Sequence, residues 1–289
     1  GMYEDYVSFN AKHEGEKIGK KVLKNAKTEF DSISLLNHWV ADEIRYSGLS
    51  MGKGEGYTLH NADMNFRDRC GVCKDKAGAL ITLLRAAGFE SYAAMTMAGS
   101  RIDRIPADQF NHSVTVVKRK NGEYMLLDPT WVPFLREEWS SREQQQNYLM
   151  GLPEGTDLME TPLSPPENHY FRINGTSELS EDGTLTGEFT LTAEGQSDAA
   201  VRRLFTGSRR ADWEGNIEKE LMKISPRIEI LSVEKTHPYE YLLQPVKITV
   251  KYRIPNYAIA TKEEMVFIPV VATNLFGYSH SHTSFDPSL

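Results

Sequence analysis

From about Val72 to Ala87 the chain reads as a single helix, and that helix begins on a cysteine. Ala77, Leu80, Leu84 and Ala87 recur at helical spacing, and Gly88 follows as a natural stop. Cys73 lies four residues before Ala77, so it shares the apolar face at the first turn. A thiol in that place meets the partial positive charge and free N–H groups of a helix N-terminus, which favour the thiolate. The pattern restricts the fold. One face of the helix needs a partner layer, and that layer has to leave the first turn open if the sulfur is to react.

Strand signals supply the layer. Ser91–Met97, His112–Lys118 and Glu123–Leu127 alternate or carry β-branched residues, with a polar, proline-containing loop over Gly99–Phe110. The segment from about Tyr3 to Arg45 reads as helical, with Leu35, Leu36, Trp39, Val40 and Ile44 at near-helical spacing and Asp31 or Ser32 as N-cap. Ser47–Gly56 is glycine-rich and reads as a loop.

A thiolate needs a base, and the base needs an orienting group. His112 opens a strand just after an irregular loop, and Asp128 closes the next one. Hairpin register decides whether the two can meet. A two-residue Asn121-Gly122 turn sets Thr115 opposite Asp128 and puts His112 and Asp128 on opposite faces. A three-residue loop, Lys120-Asn121-Gly122, sets Val114 opposite Asp128 and makes His112 and Asp128 diagonal neighbours on one face, about 7–8 Å apart by position. Such a loop wants glycine in the left-handed conformation at its third residue, where Gly122 stands, so the longer loop is expected.

Three motifs then fall in order. Arg69-Cys70-Gly71-Val72-Cys73-Lys74-Asp75-Lys76-Ala77, ahead of a Leu-rich helix ending in Ala87-Gly88-Phe89, resembles the nucleophile motif of the bacterial transglutaminase-like superfamily. Asn111-His112-Ser113 resembles its histidine strand, and Leu127-Asp128-Pro129-Thr130 its acidic motif. The resemblance spans roughly residues 28–150. It implies an α+β, papain-like core in which a helix-borne cysteine packs on an antiparallel sheet, with Cys73 as nucleophile, His112 as base and acid, and Asp128 as orienting group. It also implies one oxyanion donor from the Cys73 backbone N–H and a second from a side chain upstream, for which Tyr57, His60 and Asn65 are candidates. No calcium-loop pattern is visible, which argues against a calcium-activated transglutaminase. No cofactor and no metal are expected.

The expected activity is thiol attack on an amide of a protein or peptide through a thioester. Water as acceptor makes the chain a peptidase or amidase, and an amine makes it an acyltransferase. Hydrolysis is favoured because water is always present. The rival reading is a catalytically idle binding or assembly module of a larger exported multidomain protein.

The ordinary alternatives for single residues stay in view. A buried cysteine near a helix start can be packing alone, a strand histidine can be structural, and Asp before Pro is a common turn. Cys70 and Cys73 form a CxxC pair, readable as a redox motif, as structural, or as a reversible disulfide that silences Cys73. Trp131 is a core residue or part of a cleft wall. His280 and His282, with His237 distant, read as solvated, and the Arg202-Arg203 and Arg209-Arg210 pairs as solvated helix faces.

Leu152–Asn168 carries Pro153, Pro162, Pro165 and Pro166 and reads as a linker. Two domains are expected, 1–165 as the core and 166–289 as a β-rich accessory domain. Within the second, strands are expected at Thr184–Ala193, Ile228–Val233, Val246–Ile254 and Glu264–Ile268, and helices at Asp198–Phe205 and Trp213–Ile224. Thirty-three basic and 40 acidic side chains leave a net charge of −7 with no basic run, so a nucleic-acid surface is not expected. No apolar stretch is long enough to span a bilayer. Gly1 ahead of Met2 looks like an expression remnant. Exported relatives suggest a periplasmic or cell-surface protein whose leader or upstream domain is missing from this sequence.

Overall fold

The structure, a computed structural model, describes residues 13–48, 62–105, 107–268 and 274–277. Tyr57, His60, His280, His282, most of the glycine-rich 47–56 stretch and the start of the first helical segment lie outside the described residues. Two compact units emerge, Gly1–Pro165 and Pro166–Leu289.

In the first unit, α1 (His13–Val22) and α2 (Glu29–Glu43) are separate helices rather than one long segment. Thr28 explains the break and corrects the expected cap. Its hydroxyl accepts from the Asp31 N–H at 3.0 Å, while the Asp31 carboxylate accepts from the Thr28 N–H at 3.1 Å. That reciprocal pair starts α2 at Glu29, with Asp31 at the third helical position. Then follow β1 (Arg45–Tyr46), α3 (Ala62–Asp68), β2 (Cys70–Gly71) and α4 (Cys73–Ala86). β1 and β2 pair in parallel, Arg45 with Cys70 and Tyr46 with Gly71.

α4 is buried on every side rather than on one face: all residues from Lys74 to Leu84 are buried. Helices α2 and α3 pack Ile33, Leu36, Val40, Ala62 and Phe66 against its Leu80, Leu83 and Leu84, with Ile18 and Val22 of α1 partly buried beside them, and Val117 and Leu127 of the sheet join the same core. Gly88, at φ +88°, ends the helix as expected.

The sheet is antiparallel, in the order β5-β4-β3-β6-β7. Its strands are β3 (Glu90–Thr96), β4 (His112–Lys118), β5 (Tyr124–Leu127), β6 (Asn147–Met150) and β7 (Met159–Glu160). β6 is a strand the sequence reading did not expect, and β7 lies within the Leu152–Asn168 stretch read as a linker. β4 and β5 pair Thr115 with Leu127 and Lys118 with Tyr124. The connection is the three-residue loop: the Arg119 N–H donates to Glu123 O at 2.8 Å, and Gly122 sits at φ +87°.

In the second unit, β8 (Phe171–Leu179), β9 (Leu185–Ala193), β10 (Glu229–Lys235) and β11 (Val246–Ile254) form an antiparallel sheet ordered β10-β11-β9-β8. Helices α5 (Gly195–Thr206) and α6 (Trp213–Leu221) bury Val201, Phe205, Trp213 and Ile217 against its Phe189, Leu191, Val250 and Tyr252. A short hairpin, β12 (Ile259–Ala260) with β13 (Met265–Val266), follows. Arg202 corrects the solvated-face expectation, being 1% exposed. It donates to Asp198 Oδ1 at 2.5 Å and to the carbonyls of Pro238 and Gln244. A buried guanidinium of this kind is tolerated because each edge of its fork finds an acceptor. Arg203, Arg209 and Arg210 are exposed.

Candidate active site

The turn before α4 sets Cys73 in place. The Asp75 carboxylate folds back to accept the Val72 N–H at 2.9 Å, capping the helix. Gly71 makes room, since a Cβ there would stand 2.6 Å from Asp75 Cβ. Buried Lys76 then ties α4 to the end of α2, donating to the carbonyls of Ala41 at 3.0 Å and Ile44 at 2.6 Å. Burial pushes the Lys76 ammonium down to about 8, against the opposing pull of Asp128 and Asp42.

His112 and Asp128 meet. His112 Nε2 lies 3.0 Å from Asp128 Oδ2, and both side chains are buried. Continuing the β4–β5 register by one step sets Asp128 across from Val114, so His112 is its diagonal neighbour. Asp128 is held from two further directions. Its Oδ1 accepts from the Thr130 N–H at 2.9 Å, and its own N–H donates to the Glu138 carbonyl at 2.9 Å. Glu138 is gripped in turn by α2, whose Asn37 amide donates to its carbonyl at 2.8 Å and to its carboxylate at 2.9 Å. His38 Nε2 lies 3.5 Å from the same carboxylate. Burial raises the Glu138 carboxyl, but His38, Ser34 and Asn37 outweigh it and hold the group below its usual range.

The sulfur completes the line. Cys73 is half-buried and free, as is Cys70. Burial pushes its thiol up, yet the hydrogen bond and charge of His112, with the backbone N–H groups of Ser113 and Lys74, bring it below its ordinary value. His112 shows the matching effect. Burial disfavours its charged form, but Asp128 and then Cys73 push it up to about 10. The two shifts are reciprocal, each group favouring the charged form of the other. With Nε2 given to Asp128, Nδ1 is the ring nitrogen left for the thiol.

Three further residues belong here. Trp131 is half exposed and meets the His112 ring edge-on at 6.2 Å, as a cleft wall rather than core. Tyr46 was not foreseen. Burial raises its hydroxyl, and the nearby charges of Cys73 and Asp75 raise it further. The parallel β1–β2 pairing sets Tyr46 beside Gly71, a juxtaposition that two-residue strands do not announce in the sequence. Glu143, also unforeseen, is buried with a carboxylate oxygen close to His112 and Asp128: one ligand-type atom from each of the three lies within 4.8 Å of the others. Of the expected oxyanion donors, Asn65 is buried and spends its amide on the Asp75 carbonyl at 3.4 Å.

Residues 16–129 match the family model described as the transglutaminase-like superfamily. The first unit holds a transglutaminase-like core. No curated protein matches the sequence. Among solved structures, a provisionally named cysteine protease from Cytophaga hutchinsonii is similar, with 19% identity over 44% of this chain and a TM-score of 0.33. A provisionally named protease from Parabacteroides distasonis ATCC 8503 is similar at 9% identity over 87% of this chain, with a TM-score of 0.41. This chain covers 42% and 51% of those two proteins, about half of each. No helix among the described residues is long and apolar enough to cross a membrane.

Proposed function

We propose that the first unit is a thiol amidohydrolase acting on peptides or proteins, with Cys73 as nucleophile, His112 as base and acid, and Asp128 as orienting carboxylate. The observation that carries the reading is the hydrogen-bonded line from Cys73 through His112 to Asp128, in which the thiol is lowered and the imidazole raised. Each residue comes from a different element, so the alignment is not a by-product of local sequence.

The Cys73 thiolate attacks the amide carbon, forming a C–S bond and moving the carbonyl electrons onto oxygen. The Cys73 backbone N–H at the start of α4 and the Tyr46 hydroxyl, whose titration feels the Cys73 charge, are the donors this reading assigns to that oxyanion. His112 gives its proton to the leaving nitrogen, the C–N bond breaks, and a thioester remains. Water, deprotonated by the now neutral imidazole, then attacks the thioester and releases acid and thiolate. Asp128 keeps Nε2 protonated throughout, so Nδ1 does the proton transfer.

The test is intact-mass analysis after exposure to peptide libraries, with and without an added primary amine. An acyl adduct on Cys73, absent in Cys73→Ser and cleared to free acid, supports hydrolysis. Clearance to an amide only when amine is present makes the enzyme a transferase instead. Absence of adduct and of turnover favours an idle binding or assembly module.

A further inference from the structure

The mechanism above leaves one buried acid unused. Glu143 ends a short 3-10 turn, Ser141–Glu143, and its backbone is pinned on both sides: its N–H donates to Ser140 O at 2.9 Å, and its carbonyl accepts from Thr161 Oγ1 at 2.7 Å. Its carboxyl brings one oxygen within 4.8 Å of Asp128 and His112, on a residue about 9% exposed. Two carboxylates that close, both buried, cannot both stay ionised without a cation each. The imidazolium of His112 is one cation, and Asp128 already holds it at 3.0 Å. Lys76 contributes charge to Asp128 from α4, but its Nζ is committed to the Ala41 and Ile44 carbonyls.

We propose that Glu143 is a positioning residue for the His112–Asp128 pair: on the acid side of neutrality it is a neutral carboxylic acid that donates its proton to Asp128, leaving one negative charge facing one imidazolium. The donation would complete the shell around Asp128, whose other partners are His112 Nε2 and the Thr130 N–H. The charges that act on Glu143 agree in direction. Burial and the Asp128 charge raise its carboxyl, His112 opposes them, and the result is about 7. The role rests on the catalytic reading of Cys73, His112 and Asp128.

The experiment uses carboxyl-carbon NMR of glutamate-labelled full-length protein, together with imidazole nitrogen shifts and Cys73 alkylation, in wild type, Glu143→Gln and Glu143→Ala. One glutamate should titrate near neutrality, and its signal should vanish in E143Q. Should E143Q fail to fold, Glu143→Asp removes the same signal while keeping a carboxyl. E143A should slow alkylation of Cys73 near pH 6 by roughly tenfold, the loss of one hydrogen bond to a charged group, and E143Q should restore part of the rate through its amide donor. The His112 titration should move down by about one pH unit in E143Q, since the second negative charge that forms at high pH is gone. All glutamates ionising below about pH 5.5, as unperturbed groups do, would overturn the proposal. So would an E143A variant alkylating as wild type does. If Cys73 alkylates as an ordinary thiol even in wild type, the catalytic reading fails instead, and the carboxyl signal still decides the state of Glu143.

Discussion

Replacing Asp128 by Asn tests the electrostatics of the site at their largest point. Asp128 is the principal group raising His112, and burial is the principal group opposing it. With the carboxylate neutralised and burial retained, the imidazole should fall from about 10 toward its ordinary 6.5, with only the Cys73 contribution left to oppose burial. Near pH 8 an imidazole of pKa 10 is about 99% charged and one of 6.5 about 3% charged, so the fall in imidazolium is bounded at roughly thirtyfold. The thiolate loses its counter-charge with it, so Cys73 should revert toward an ordinary thiol. Asn preserves the shape, but its one oxygen can accept from Thr130 only by turning its NH2 toward His112 Nε2, so the change falls mainly on the imidazole. Imidazole nitrogen shifts followed from about pH 5 to 10 read the change directly. If His112 titrates at the same pH in Asp128→Asn as in wild type, the carboxylate is not what charges the imidazole, and the argument built on their 3.0 Å contact is wrong.

Other consequences can be checked separately. Tyr46→Phe should reduce kcat by about 10²-fold with little change in KM, the usual cost of an oxyanion donor; an unchanged kcat removes Tyr46 from that role. Gly71→Ala should destabilise the protein by about 1–3 kcal/mol in chemical denaturation, because the new Cβ meets Asp75 at 2.6 Å, and a neutral result would mean the cap can shift freely. Stability should also depend on Glu143. A native acid raised from 4.5 to about 7 binds its proton more tightly folded than unfolded, so its contribution is full below about pH 4.5 and fades as pH rises through about 7. The fade amounts to about 3 kcal/mol at most, and the difference between wild-type and Glu143→Gln denaturation curves over that range should show it. A pH-independent difference would mean that Glu143 is ionised in the native state.

Much of the fold was legible because its information is local. β4 and β11 are read to the residue, since alternating valines and isoleucines face a buried layer, and Gly122 and Gly88 mark positions that need positive φ. β8 escaped because it is a largely exposed strand with almost no apolar face, and β6 because it follows a polar glutamine run with nothing to announce a strand. The burial of α4 on all sides was also hidden. Lys74, Asp75 and Lys76 look like a solvated turn, and only the distant carbonyls of Ala41 and Ile44 account for a buried lysine.

The candidate site divides the same way. Cys73, His112 and Asp128 could be named because each opens or closes an element, and a turn-length argument tied the last two together. Glu143 could not, because its place beside Asp128 depends on the path of residues 129–143, which carries no periodic signal. The same holds for the Asn37–Glu138–Asp128 brace, which joins residues about a hundred positions apart.

The central claim, a thiolate on Cys73 sustained by His112, is tested most directly by the rate of Cys73 alkylation by iodoacetamide across pH. Wild type should react with an apparent pKa well below the 8.5 of a free cysteine, and His112→Ala should lose that advantage. Identical profiles for the two proteins, both rising only near pH 8.5, would contradict the account and leave Cys73 as a packing residue at the head of a buried helix.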